Sequence, residues 1–209
     1  MRKMVLILTG LVFVFSCVFS VYVKGTIIEN AAPGSEGVLD LPVSSSMDEY
    51  SDLYMENASV ENMDSLMQES TLVVKVIALD EGESRPYSIL RKCRILNTYK
   101  GKASSEIEVY EPCYISRVDY DLVMGYVPMK QGEEYVLFLS PVENDGMKGY
   151  ENAWYFVSAS YGKYQPGLTA EASEDWEVFR DVKDSAFVTT EEEEAEKYNR
   201  ILKEVETLE

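Results

Sequence analysis

The side chains available for chemistry in this 209-residue chain are restricted in kind. There is no histidine, there are three cysteines, and 37 acidic residues stand against 19 basic ones. Without an imidazole, Ser-His-Asp and Cys-His nucleophilic catalysis are impossible within the chain. A His-rich zinc site is excluded too, and Cys93 and Cys113, the cysteines outside the apolar leader, do not alone make a structural one. No glycine-rich phosphate loop of the P-loop or dinucleotide type occurs. Carboxylate acid–base chemistry, as in glycoside hydrolysis, stays possible. With 37 acids, however, some pair is always close, so proximity singles none out. No catalytic, cofactor-binding or metal-ligating residue is assigned, and no cofactor is implied.

Two sets of residues invite structural roles. Pairing a strand over 87–99 with one over 106–113, around a turn near residue 103, sets Tyr99 opposite Ile107 and Ile95 opposite Glu111. Cys93 then faces Cys113, a placement that accepts a disulfide in an oxidising location. The alternative is two small buried thiols. The second set is Tyr114, Tyr120 and Tyr126, in a segment from 114 to 127 that is long for a loop. Tyrosine offers an apolar body and a polar tip, which suits protein and sugar recognition. The alternative is that these rings plug one end of the fold.

The elements that must position them are strands. "TLVVKVIAL" (71–79) and "YVLFL" (135–139) are apolar on both faces, and "YSILRKCRILNTY", "EIEVYEPC" and "YENAWYFVSAS" complete a set of five. A short helix precedes them, with Ser59 as its cap and Val60, Met63, Leu66 and Met67 at helical spacing. A helix over 190–209 follows. Thr190 and Glu193 form a capping-box pattern, and Ala195, Tyr198, Ile201, Leu202, Val205 and Leu208 form an apolar stripe. Strands buried on both faces are explained by a barrel with a helix laid on its outside. The expectation is a mainly β fold, a small five-stranded OB-like barrel with a short N-terminal helix and a packed C-terminal helix.

The remaining segments give an address. Arg2 and Lys3 precede an uncharged apolar run over residues 4–23. As a helix this run is about 30 Å long, enough to cross a bilayer. A retained anchor, a cleaved signal and a lipoprotein built on Cys17 of "VFSC" all stay open, and each delivers the rest of the chain outside the cytoplasm. Residues 24–59 carry Glu29, Glu36, Asp40, Asp48, Glu49, Asp52 and Glu56 against Lys24 alone, with Pro, Gly and Ser interspersed. That composition reads as an acidic flexible linker. The domains are then 1–23 as anchor or signal, 24–59 as linker, and 60–209 as the OB-like domain. A formal charge of −18 excludes a broad nucleic-acid surface.

"STLVVKVIAL", "LRKCRILNTYKG", "IEVYEPC" and "QGEEYVLFL", followed by a terminal helix, resemble in order and spacing the netrin-like domains, which include the tissue inhibitors of metalloproteinases. The resemblance covers residues 60–160 and implies an OB-like barrel, an extracellular location and protein binding. It does not bring the inhibitory activity. In that family a cysteine at the mature N-terminus chelates the protease zinc, whereas no cysteine begins this domain, and the several disulfides of the animal domains are missing.

The reading that follows is a membrane-tethered or exported extracytoplasmic domain that is not an enzyme. Its partners would be a protein or a cell-envelope polymer, and the membrane through residues 4–23. A carboxylate-dependent exported hydrolase and a structural module of a membrane complex are the alternatives.

Overall fold

The computed structural model describes residues 32–45, 60–116, 118–142 and 152–208. Its centre is a closed barrel of five strands: β2 (Leu72–Ala78), β4 (Ser88–Lys100), β5 (Glu106–Glu111), β8 (Glu134–Pro141) and β9 (Ala153–Phe156). A short β3 (Glu83–Arg85) pairs with the start of β4. Around the barrel the order is β2, β4, β5, β9, β8 and back to β2. All neighbours are antiparallel except β5 and β9, where Val109 faces Trp154 in parallel. Pairing of Leu139 with Phe156 closes the ring. This is the strand order of an OB-like barrel, with the third and fifth barrel strands side by side. Register shifts between Val73 and Val74 and between Lys75 and Val76 bend β2 against the long β4, the kind of irregularity that lets a short sheet curl shut.

The two-faced strands are now accounted for. Leu72, Val74, Val76, Tyr135, Leu137 and Leu139 fill the barrel interior. Val73, Val136 and Phe138 point outward into a second core. That outer core is made by α2 (Met63–Glu69) and by α4 (Glu192–Val205), whose Ala195, Tyr198, Ile201, Leu202 and Val205 are all buried. Each such large apolar side chain contributes about 2 kcal/mol of burial, so the helix is an integral wall of the fold.

The caps differ from expectation. Asn62, not Ser59, caps α2: its Oδ1 accepts from Ser65 N at 3.0 Å, and Ser65 Oγ accepts from Asn62 N at 3.2 Å. The capping box expected from Thr190 and Glu193 does not form, because α4 starts a residue later with Glu191 as its N-cap. Glu191 N donates instead to Thr189 Oγ1 at 3.0 Å.

The linker over 24–59 requires correction for residues 32–45. The helical turn α1 (Glu36–Leu39) and β1 (Val43–Ser44) pack on the barrel, with Val38 and Leu41 buried in its core cluster. β1 runs parallel to β7 (Tyr120–Leu122), Val43 facing Tyr120. A few apolar residues in an acidic stretch sufficed, because an open barrel end offered them a site. The leader over 1–23 and residues 46–59 lie outside the described residues. No described helix is long and apolar enough to cross a membrane.

The expected loop of 114–127 contains structure of its own. β6 (Cys113–Ile115) and β7 form a hairpin, and a short 3₁₀ turn follows at Val123–Gly125. Gly125 has φ +79° and packs so closely on the backbone of Val188 that a Cβ there would overlap its carbonyl. The glycine lets the chain turn and drive Tyr126 inward. Beyond β9 come β10 (Lys163–Tyr164), which extends the sheet beside β8, the pair β11 (Glu171–Ala172) and β12 (Val188–Thr189), and the short α3 (Phe179–Val182).

Candidate functional site

The chemistry of the interior starts with parity. Along β4, Ile89, Arg91 and Cys93 share the inward face, and along β5, Ile107, Val109 and Glu111 do. Arg91 lies opposite Val109 and Glu111 opposite Ile89, so the two charged residues are diagonal neighbours inside the barrel. Arg91 Nε donates to Glu111 Oε1 at 2.7 Å, with side-chain exposures of 1% and 0%. Glu111 Oε2 accepts from Tyr126 Oη at 2.8 Å and from Met129 N at 2.6 Å. Arg91 Nη1 also donates to the Asp80 carbonyl. Burial alone would lower the Arg91 pKa, but the adjacent Glu111 charge and hydrogen bond hold it above its ordinary value. A carboxylate engaged by three donors has both oxygens committed, which suits a structural counter-charge.

A second cation sits beside this pair. Lys163 on β10 is buried, donates to the Val127 carbonyl, and lies over the Tyr126 ring at 4.3 Å from its centroid. Burial pulls its pKa down to about 8, opposed by the Glu111 charge. Burial, reinforced by Glu111, pushes the Tyr126 phenol well above its usual range. Tyr126 therefore bridges the two cations. Its hydroxyl serves the carboxylate that neutralises Arg91, while its ring face holds Lys163.

The expected binding tyrosines divide. Tyr120 and Tyr126 are core residues. Tyr120 stacks on Phe179 at 4.1 Å between centroids, and neither ring can reach a partner. They plug one end of the barrel, the alternative the sequence left open. Tyr114 is half-buried and donates to Asp121 Oδ2 at 3.1 Å. Its ring meets Tyr87 edge-on, 5.5 Å between centroids and 77° between planes.

The register expected for the cysteines is corrected as well. Cys93 faces Ile107, and Cys113 pairs with Leu122 on the neighbouring hairpin. Both are free buried thiols. Burial, then the nearby Glu111 charge, pushes each thiol pKa up, so neither is activated.

Tyr87 itself was not singled out in the sequence. It follows Pro86 in the two-residue link between Arg85 and Ser88, a paired position of β3 and β4. Its φ is +60°, and it is 39% exposed. Proline cannot take positive φ, so the primed turns favoured in hairpins are closed to this link. It resembles a type II turn, whose second central position belongs to glycine or asparagine. A tyrosine there costs about 1 kcal/mol.

A cavity of about 360 Å³ opens near the Arg91 end of the barrel. Pro33 and Leu39 on one side and Pro128, Met129 and Phe179 on the other make it apolar, and Arg91, Lys130 and Lys183 line it with charge. Among the described residues no cluster of three or more Cys, Asp or Glu is arranged to hold a metal.

No family model, no curated protein and no solved structure matches this chain. The function must therefore be argued from the barrel and these side chains. Arg91 and Glu111 could have been found in the sequence. In each of two adjacent strands, a charge of opposite sign interrupts an otherwise apolar inward parity. Lys163 carried no comparable signal, because the two-residue β10 is too short to show a period.

Proposed function

We propose that this chain is an extracytoplasmic binding module that holds a protein or a cell-envelope polymer through the aromatic surface of Tyr87 and Tyr114. The observation that carries the reading is the exposed Tyr87 ring, held in a left-handed conformation against Tyr114. A residue that strains the backbone while presenting a large ring to solvent is better explained by contact than by stability. Val118, 71% exposed at the tip of the β6–β7 hairpin that carries Tyr114, adds apolar surface on the same hairpin. Kinship with the netrin-like domains belongs to the same proposal. Its support is the strand order together with the "LRKCRILNTYKG" and "QGEEYVLFL" segments. The uncharged run over 4–23 would tether the module to the membrane.

The test is capture from solubilised envelope fractions by the full-length chain, compared with Tyr87→Ala and Tyr114→Ala variants of unchanged thermal stability. Loss of a specific captured component in both variants supports the reading. Capture that survives both changes overturns it.

A further inference from the structure

We infer that the cavity beside Arg91 is a second ligand site, one that takes a small organic carboxylate with an apolar body. The guanidinium is the first part of the site. Arg91 is 1% exposed and its Nε and Nη1 are committed to Glu111 and to the Asp80 carbonyl. Its Nη2 makes no hydrogen bond among the described residues, and the side chain lines the cavity wall. Guanidinium nitrogens with donors to spare, held rigid by a buried counter-charge, form a preorganised carboxylate receptor.

The second part is the mouth. Lys130 Nζ lies 2.6 Å from Asp184 Oδ1, and Lys183 Nζ lies 2.9 Å from Asp184 Oδ2. Two ammonium groups therefore share one carboxylate, and one positive charge is left over. Arg91 is matched by Glu111 behind the wall, and Glu81 is the other acid of the lining, so cations and acids balance there. In a chain where acids outnumber bases 37 to 19, a lining without net negative charge departs from the general balance.

The third part is shape. A volume of about 360 Å³ is within the range of small-molecule sites, and the walls from Leu39, Met129, Phe179 and the two prolines are apolar. An inorganic anion would leave those walls in contact with water. A neutral apolar molecule would leave the spare Arg91 donor without an acceptor. A carboxylate on an apolar body meets both. The site uses different residues from the Tyr87 and Tyr114 surface, so either proposal can fail alone.

The test labels the methionine methyl groups of the full-length chain with ¹³C, in detergent, and titrates benzoate, benzamide and inorganic phosphate at millimolar concentration. Met129→Leu, a volume-conserving change, assigns the Met129 signal. Met124, which is not part of the lining, serves as the internal reference. The expected result is a saturable shift of the Met129 methyl with benzoate, absent with benzamide and with phosphate. In Lys183→Gln, a change at a half-buried position, the benzoate affinity falls about tenfold, the effect of losing one charged contact of about 1.4 kcal/mol. A Met129 signal that does not move, moves equally with benzamide, follows phosphate, or keeps its benzoate affinity in Lys183→Gln overturns the inference.

Discussion

Arg91 Nε and Glu111 Oε1 meet 2.7 Å apart inside the barrel, on adjacent strands and out of contact with solvent. The two charges were removed from water together, and each is the other's solvent. Removing one partner leaves the other uncompensated. Glu111→Leu and Arg91→Met are each expected to lower stability by about 3–5 kcal/mol. The double change of Arg91→Met with Glu111→Leu should recover much of that loss. Urea unfolding of the four proteins measures the coupling, and additive losses would show that the pair is not a unit.

Lys163 makes stability depend on pH. Its native pKa is near 8, against an ordinary 10.5. Between those values the folded chain has shed a proton that the unfolded chain still holds, so this group makes stability rise with pH across that window. Tyr135 acts in the opposite sense. Burial pushes its pKa up to about 12, so above pH 10 the unfolded phenol ionises first and stability falls. The buried thiols of Cys93 and Cys113 act in the same sense as Tyr135 above their ordinary value of 9, so the Lys163 contribution is read by urea unfolding as the stability of the wild type minus that of Lys163→Met, a difference that should grow from pH 8 toward pH 10. The buried ammonium costs about 3 kcal/mol below pH 8. Lys163→Met should not destabilise the protein at pH 7. A difference between the two proteins that stays constant from pH 8 to pH 10 would contradict the assignment.

The tyrosines should separate into two behaviours. Tyr126→Phe removes one donor from Glu111 and should cost about 1–3 kcal/mol. Tyr120→Ala opens space against Phe179 and should cost about 3–5 kcal/mol. Tyr87→Ala should leave stability within about 0.5 kcal/mol, as at most surface sites. Thermal unfolding of the three variants decides. A Tyr87 variant as unstable as Tyr120→Ala would assign that ring to the fold.

Cys93 and Cys113 should behave as inert thiols. Non-reducing peptide mapping of the full-length chain should recover both unlinked. A thiol reagent should reach them only after denaturant is added, since burial disfavours both thiolates. A Cys93–Cys113 crosslink would show that the strands pair in the register expected from the sequence rather than the observed one.

Much of the architecture was legible because it depends on repeated patterns. Apolar residues on both faces of β2 and β8 required a covered barrel, and the stripe from Ala195 to Val205 marked the helix that covers it. The β4–β5 register was not legible, because a hairpin was assumed to pair along its whole length. In fact β4 divides its length between two neighbours: Ile89 to Arg94 face β5, while Cys93 to Lys100 face β2. Val38 and Leu41 were missed because their burial depends on a distant surface and not on local periodicity. Arg91 and Glu111 were passed over because a charge on an inward face looks like an interruption until its partner is seen. Tyr87 was overlooked for a related reason. Its significance lies in a backbone angle that the sequence does not state.

The claim most exposed to test is that Tyr87 is retained at a cost to the fold because it makes the binding contact. Tyr87→Gly relieves the left-handed strain and removes the ring in one change. Affinity for the captured envelope component and unfolding midpoint should be measured on the same full-length variant. The account predicts binding weaker by about thirtyfold, the loss of a contact worth about 2 kcal/mol, with a midpoint equal to or above that of the wild type. Undiminished affinity, or lost affinity accompanied by a clearly lower midpoint, would contradict it.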